Sequence, residues 1–172
     1  MPFLVENLKS DPLEWHQRNH AAMKKIWAHP NLLAHRLLEA HRQEIEETLE
    51  ERLLSPDGRK RYFVDYQRLG EEDRQWYLRL LLRNLMNSVR TREKGVFQGY
   101  CRELAERRLR EGFTSQEVCD ALRALDQIAL QVLRKDPAAK EIEQDLQDLI
   151  TMTVRFGIDQ VQEVYEEQLG RT

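Results

Sequence analysis

The sequence predicts an all-α fold: a five- or six-helix bundle or globin-like array closed by a long C-terminal helix. Three observations carry that prediction. Only 7 Gly and 5 Pro interrupt 172 residues, while Leu, Glu, Arg and Gln, which suit helices, are plentiful. Apolar residues recur at three- and four-residue steps along most of the chain, the period of one helix face. One short segment could be extended, but it has no second strand to pair with. The length suits a single domain, 1–172, with 140–169 as a possible connector or dimer helix.

Asp11-Pro12 reads as an N-cap and first helical residue, opening a helix over 12–28 with Leu13, His16, Ala22, Met23, Ile26 and Trp27 on its face. Pro30 breaks it. Asn31 can cap a second helix running to about 54, with Leu32, Leu33, Leu37, Leu38, His41, Ile45, Leu49 and Leu53 as its stripe. Ser55-Pro56-Asp57-Gly58 is a strong turn. Residues 59–70 fit either a short helix or an extended piece. A third helix over 71–92 begins acidic and ends basic, as the helix dipole favours. Its wide apolar arc suggests a central helix, or one facing a core on one side and a second subunit on another.

Gly95 opens a fourth helix over 96–110, lined by Phe97, Tyr100, Cys101, Leu104, Ala105 and Leu109, with Gly112 placed as the residue just past its end. The clearest helix follows. Thr114 and Glu117 form a capping box, and Phe113 and Val118 a hydrophobic staple. Val118, Ala121, Leu122, Leu125, Ile128, Ala129, Val132 and Leu133 then make one stripe, and Pro137 stops it. The short connection makes these two helices antiparallel neighbours. The last helix runs from Ala138 or Ala139 to near Leu169, and Gly157 within it marks a kink or a close approach of another backbone.

The 27 basic and 30 acidic residues are intermixed and give a net charge of −3, so no global field pulls the chain toward nucleic acid or an anionic membrane. Cys101 and Cys119 have no CxxC spacing, which argues against structural zinc and for a reduced, cytoplasmic protein. The N-terminus lacks the basic and apolar regions of a signal peptide. Apolar runs such as Leu80 to Leu82 fall far short of the ~20 residues a membrane helix needs.

Candidate chemistry is sparse. His16 and His20 lie one turn apart, and with His29, His35 and His41 they fill the first 41 residues with all five histidines. A haem or metal site through His16, His20, His35 or His41 is the reading this clustering allows, though no third ligand sits in register. The Glu-x-x-His pairs of a di-iron bundle are absent. Ser10, Ser55, Ser88 and Ser115 read as cap, turn or helix residues, and no glycine-rich phosphate loop exists. The hairpin over 104–125 has the outline of a helix-turn-helix. Glu117, Asp120 and Asp126 on its second helix oppose phosphate, which counts against nucleic acid. Trp76, Tyr77, Phe97 and Tyr100 could line a ligand pocket or interface between the third and fourth helices.

The stretch from Tyr100 to Leu133 resembles the all-helical N-terminal sensor or partner-binding domains of bacterial stress-signalling regulators of the RsbR and RsbU type, also found ahead of some histidine kinases. Leu104, Ala105, Arg107 and Gly112 match the first helix of that pattern, and Glu117, Ala121, Leu122 and Leu125 the second. The resemblance implies a globin-like or bundle-like domain, usually without haem, that dimerises and passes a signal to an attached domain or partner. In that family an output domain normally follows, so the resemblance implies either a stand-alone version or an excised sensor domain, with 140–169 as its connector or dimer helix. The expectation is therefore a non-enzymatic cytoplasmic signalling domain without cofactor, homodimeric, binding a partner signalling protein or a small apolar ligand through Trp76, Tyr77, Phe97 and Tyr100. A DNA-binding regulator and a haem or metal sensor are the alternatives.

Overall fold

The structure, a computed structural model, describes residues 29–170. The helix expected over 12–28, with His16 and His20, lies outside them. The fold is an all-α bundle: α1 (Pro30–Ala40), α2 (Arg42–Leu54), α3 (Glu71–Thr91), α4 (Lys94–Arg110), α5 (Ser115–Arg134) and α6 (Glu143–Leu169). No strand occurs among the described residues, and none of their helices is long and apolar enough to cross a membrane.

The single helix expected over 32–54 is two. Pro30 occupies the first turn of α1, where its missing N–H would be unpaired anyway. Asn31 does not cap it; its amide donates to the Arg90 carbonyl at 2.6 Å. The break between α1 and α2 falls at His41, whose ring meets Asp136 Oδ2 at 2.8 Å. Hydrogen bonds from His41 N–H to Leu37 and from Ile45 N–H to His41 span the break, so it is a bend rather than a loop. Asp136 also accepts from the Ala138 amide at 3.0 Å, opening the 3-10 turn Pro137–Ile142 that leads into α6. One side chain therefore ties the α1–α2 bend to the α5–α6 connection.

The ambiguous stretch 59–70 is neither a regular helix nor a strand. It forms a π-helical turn, Gly58–Tyr62, and a 3-10 turn, Asp65–Arg68. Gly58 is buried, and a Cβ there would lie 2.6 Å from the Arg52 carbonyl oxygen and 2.8 Å from that of Leu53. The expected tight turn at Ser55 is held by its hydroxyl, which donates to Arg52 and accepts from Gly58.

The end of α4 follows the sequence closely. Gly112 has φ 86°, which Gly adopts without strain. Phe113 N–H reaches the Arg108 carbonyl and Gly112 N–H that of Leu109, at 2.9 and 3.1 Å, the paired bonds of a Schellman ending. Thr114 then caps α5, accepting from the Glu117 amide at 3.2 Å, and Phe113 and Val118 are both buried.

Packing uses most of the apolar faces, leaving Trp76 and Val96 among the large apolar groups at the surface. α3 touches α1, α2, α4 and α6, so its wide arc belongs to a central helix. The most extensive interface is α4 on α6, followed by α5 on α6. The long terminal helix is thus a core element. The α4–α5 hairpin is less intimate than expected, because α4 gives most of its inner face to α6. Gly157 makes that approach possible. α6 runs unbroken through it, and a Cβ there would meet Phe97 Cε1 at 2.6 Å and Cys101 Sγ at 2.7 Å. What comes close is a pair of side chains, not a backbone.

Candidate functional site: the groove between α3 and α4

α3 and α4 run antiparallel from a tight joint. Arg92 takes the left-handed conformation at φ 60°, and the buried Ser88 hydroxyl accepts from the Phe97 amide at 2.9 Å. Away from this joint the facing rows part into an open groove of about 480 Å³. Trp76, Leu80 and Asn84 line one side; Val96, Gly99, Tyr100, Glu103, Leu104 and Arg107 line the other. Trp76, Leu80 and Asn84 step by four along α3, and α4 presents two adjacent rows, Val96, Tyr100 and Leu104 beside Gly99, Glu103 and Arg107. Trp76 and Val96 are 46% and 36% exposed, large apolar groups left at the surface while the bundle's own core is closed. At the open end, the Arg107 guanidinium lies 5.4 Å from the Trp76 ring centroid, a cation–π contact that holds the indole at the groove's edge.

The four expected site residues divide. Trp76 and Tyr100 line the groove. Tyr77 points the other way, fully buried, into a knot of aromatic rings around Arg108. Phe97 is core, wedged beneath Gly157.

The Arg108 knot sets the position of Arg107. Arg108 is only 4% exposed. Its guanidinium lies 4.7, 5.0 and 5.4 Å from the ring centroids of Tyr77, Phe113 and Tyr66, and Glu111 takes Nη1 at 2.7 Å. Its Nε finds no acceptor among the described residues. The Tyr66 and Tyr77 hydroxyls meet at 3.3 Å, and burial raises both phenols above their ordinary range. Tyr165 closes the knot, donating to the Phe113 carbonyl at 2.8 Å; burial pushes its phenol up to about 12. With the last turn of α4 pinned this way, the next residue back, Arg107, stands over Trp76.

Glu117 departs from the expected capping box. Its carboxylate does not reach back to its own cap. It accepts from the amides of Asp65 at 2.7 Å and Tyr66 at 3.1 Å, closing the start of the 3-10 turn that delivers Tyr66 to the knot. Burial, then the Asp65 carboxyl beside it, raises it to about 7 against the lowering effect of the two amides.

The remaining candidates do not converge on a reacting centre. Burial raises the thiols of Cys101 and Cys119. His41 is engaged by Asp136, and burial lowers His35 below its ordinary value. No cluster of three or more metal-ligating side chains occurs among the described residues. α5, the recognition helix of the DNA-binding alternative, exposes mainly a strip of Gln116, Arg123, Gln127, Gln131 and Arg134, because the rest of its surface packs into the core.

Sequence periodicity found Trp76 and Tyr100. It missed Leu80, Asn84, Val96, Gly99, Glu103, Leu104 and Arg107 as groove residues, because which rows face each other depends on the α3–α4 register. The basic run at 107–110 was the available signal, and it pointed instead to a helix-turn-helix. Comparison of the chain with family models, with curated proteins and with solved structures finds no match.

Proposed function

We propose that this chain is a non-enzymatic regulatory domain that works by binding, as the RsbR- and RsbU-type sensor domains resembled by its 100–133 stretch do, and that the α3–α4 groove is its binding surface. The observation that carries this reading is Trp76: an indole 46% exposed, braced by Arg107, on the lip of an apolar-floored groove. Large aromatic side chains beside fillable grooves are the usual anchors of protein interfaces. A non-catalytic role is supported by the nucleophile candidates. The Ser88 hydroxyl is spent on the Phe97 amide, Ser55 on its turn, and both thiols are buried.

The test is site-specific photocrosslinking in cells. A benzophenone amino acid replaces Trp76 in one variant and the exposed α5 residue Gln131 in another. Discrete adducts at 76 with none at 131 are expected. Equal labelling at both positions, or none at 76, would remove the groove as the functional surface. Native mass spectrometry on the purified chain reads subunit count and any retained small ligand in parallel.

A further inference from the structure

We infer that residues 12–28 of the chain itself close a second cleft, beside the α3–α4 joint, as an amphipathic helix that seats Met23, Ile26 and Trp27 there. This cleft holds about 270 Å³ and lies between the first turn of α1, the joint and α6. Pro30 stands on one side of it, and Leu149, Met152 and Thr153 of α6 on the other. Met152 is 36% exposed, and Leu32 on the same turn of α1 as Pro30 is 42% exposed, so large apolar groups are left at the surface at this end of the bundle. The charged residues of the cleft are Arg92 and Lys94 against Asp145 and Asp148. They are of both signs, so charge selects no outside partner. What selects the occupant is where the chain enters.

α1 begins at Pro30, in the wall of the cleft. His29 ahead of it is exposed and non-helical, at φ −129° and ψ 81°, as a residue before proline favours. The chain ahead of α1 therefore turns off that helix's axis. Three residues span at most about 11 Å, so the Trp27 backbone stays within that distance of Pro30 whatever path it takes. An occupant tethered so closely acts at an effective concentration on the order of millimolar, which a free partner has to exceed.

The composition of the segment calls for such a surface. Set on a helix, Leu13, Trp15, Ala22, Met23, Ile26 and Trp27 fall on one half of the circumference, with His16, Asn19 and His20 among them. Glu14, Gln17, Arg18, Lys24 and Lys25 fall on the other half. Two indoles with a Leu, an Ile and a Met on one face make an apolar patch that needs cover. Met23, Ile26 and Trp27 stand side by side at i, i+3 and i+4, at the end of the segment nearest Pro30, and the cleft is the apolar opening their tether reaches first. The Trp76 end of the α3–α4 groove is out of range, because α3 carries Trp76 about 24 Å from Arg92 at the joint. The two surfaces are therefore separate, and filling the cleft leaves that end of the groove open.

The test is hydrogen–deuterium exchange on the full chain, read by mass spectrometry over the peptides that cover 13–28. Circular dichroism first checks each variant for native helicity. The amides of 20–28 are expected to be protected in the parent. They should exchange about tenfold or more faster in Met152→Glu, which sets a carboxylate beneath the apolar face, while α5 exchanges as before. Trp27→Ser, which alters the segment alone, should speed the amides of 16–25 in the same way. Val96→Glu, in the α3–α4 groove, should leave 20–28 unchanged. Unprotected amides over 20–28 in the parent, or protection indifferent to both Met152→Glu and Trp27→Ser, would overturn the inference. Protection lost in Val96→Glu but kept in Met152→Glu would assign the segment to the groove and overturn it too. Protection that fades on dilution would assign the contact to a second copy of the chain, with the same consequence.

Discussion

Replacing Gly157 with alanine should destabilise the protein, and the sign of the effect is the informative part. In an exposed helix, Gly→Ala gains about 1 kcal/mol from helix propensity. Here the added methyl would lie 2.6 Å from Phe97 Cε1, 2.7 Å from Cys101 Sγ and 2.8 Å from Phe97 Cδ1. Neither neighbour is a flexible chain end, since both side chains are fully buried. Overpacking of this kind typically costs 1–3 kcal/mol, and two immovable neighbours place this case near 3. Subtracting the propensity gain leaves a net loss of about 2 kcal/mol, or a Tm lower by roughly 4–8 °C for a chain of this size. Urea unfolding followed by circular dichroism at 222 nm measures it. A double-mutant cycle with Phe97→Leu separates crowding from other causes. The leucine removes ring atoms at the collision point, so Gly157→Ala should cost at least about 1 kcal/mol less in that background. A Gly157→Ala protein more stable than the parent by about 1 kcal/mol would show that only helix propensity acts there, and the account of the α4–α6 interface would be wrong.

Glu117 predicts a pH dependence. Its carboxyl is raised to about 7 in the folded chain from an ordinary 4.5, so the folded state binds more protons than the unfolded between those values. Stability should therefore be full below about 4.5 and fall as pH rises toward 7. A shift of this kind corresponds to an effect on the order of 1–3 kcal/mol. Glu117→Gln should abolish this dependence, read from urea midpoints at pH 5 and pH 8; an unchanged slope would refute the assignment. Asp136 works in the opposite sense. The His41 hydrogen bond holds its carboxyl below the ordinary 3.8, so its contribution is present above that value and lost as pH falls through the folded pKa. Asp136→Ala also removes the Ala138 cap and should cost about 1–2 kcal/mol at pH 7. For Gly58→Ala the obstacles are backbone oxygens of Arg52 and Leu53. A loss above about 2 kcal/mol in thermal melts is expected, and a neutral result would mean the π-helical turn can rearrange.

The fold was legible wherever local chemistry alone decides the outcome. Gly112 ends α4 because few other residues take φ 86° comfortably, and Thr114 starts α5 because its oxygen is within reach of the Glu117 amide. The misreadings share one cause. Asn31, His41 and Glu117 each have a local role that sequence spacing suggests, and each is drawn to a distant partner instead: Arg90, 59 residues on; Asp136, 95 on; Asp65 and Tyr66, 52 and 51 back. A cap is one hydrogen bond worth about 1 kcal/mol. Glu117 satisfies two amides elsewhere, that of Tyr66 buried, which avoids a comparable or larger penalty, so there the tertiary partner wins.

The same reasoning explains why the candidate site was half visible. A 3.6-residue period states which residues share a face but not what that face meets. Trp76 and Tyr77 are adjacent in sequence, yet 100° of rotation sends one to the surface and the other into the Arg108 knot. Arg107 and Arg108 are split in the same way: one guanidinium braces an exposed indole, the other is enclosed by three rings. The buried member of each pair makes the exposed one usable. Tyr77 and Arg108 lock the end of α4 against α3, which fixes Arg107 over Trp76 and keeps the groove open at that end. Loosening the knot should therefore alter Trp76 without touching it. In a Trp15→Phe/Trp27→Phe background Trp76 is the sole tryptophan. Adding Tyr66→Phe there should shift its emission while leaving the helical signal intact, and an unmoved spectrum would mean that knot and groove are independent.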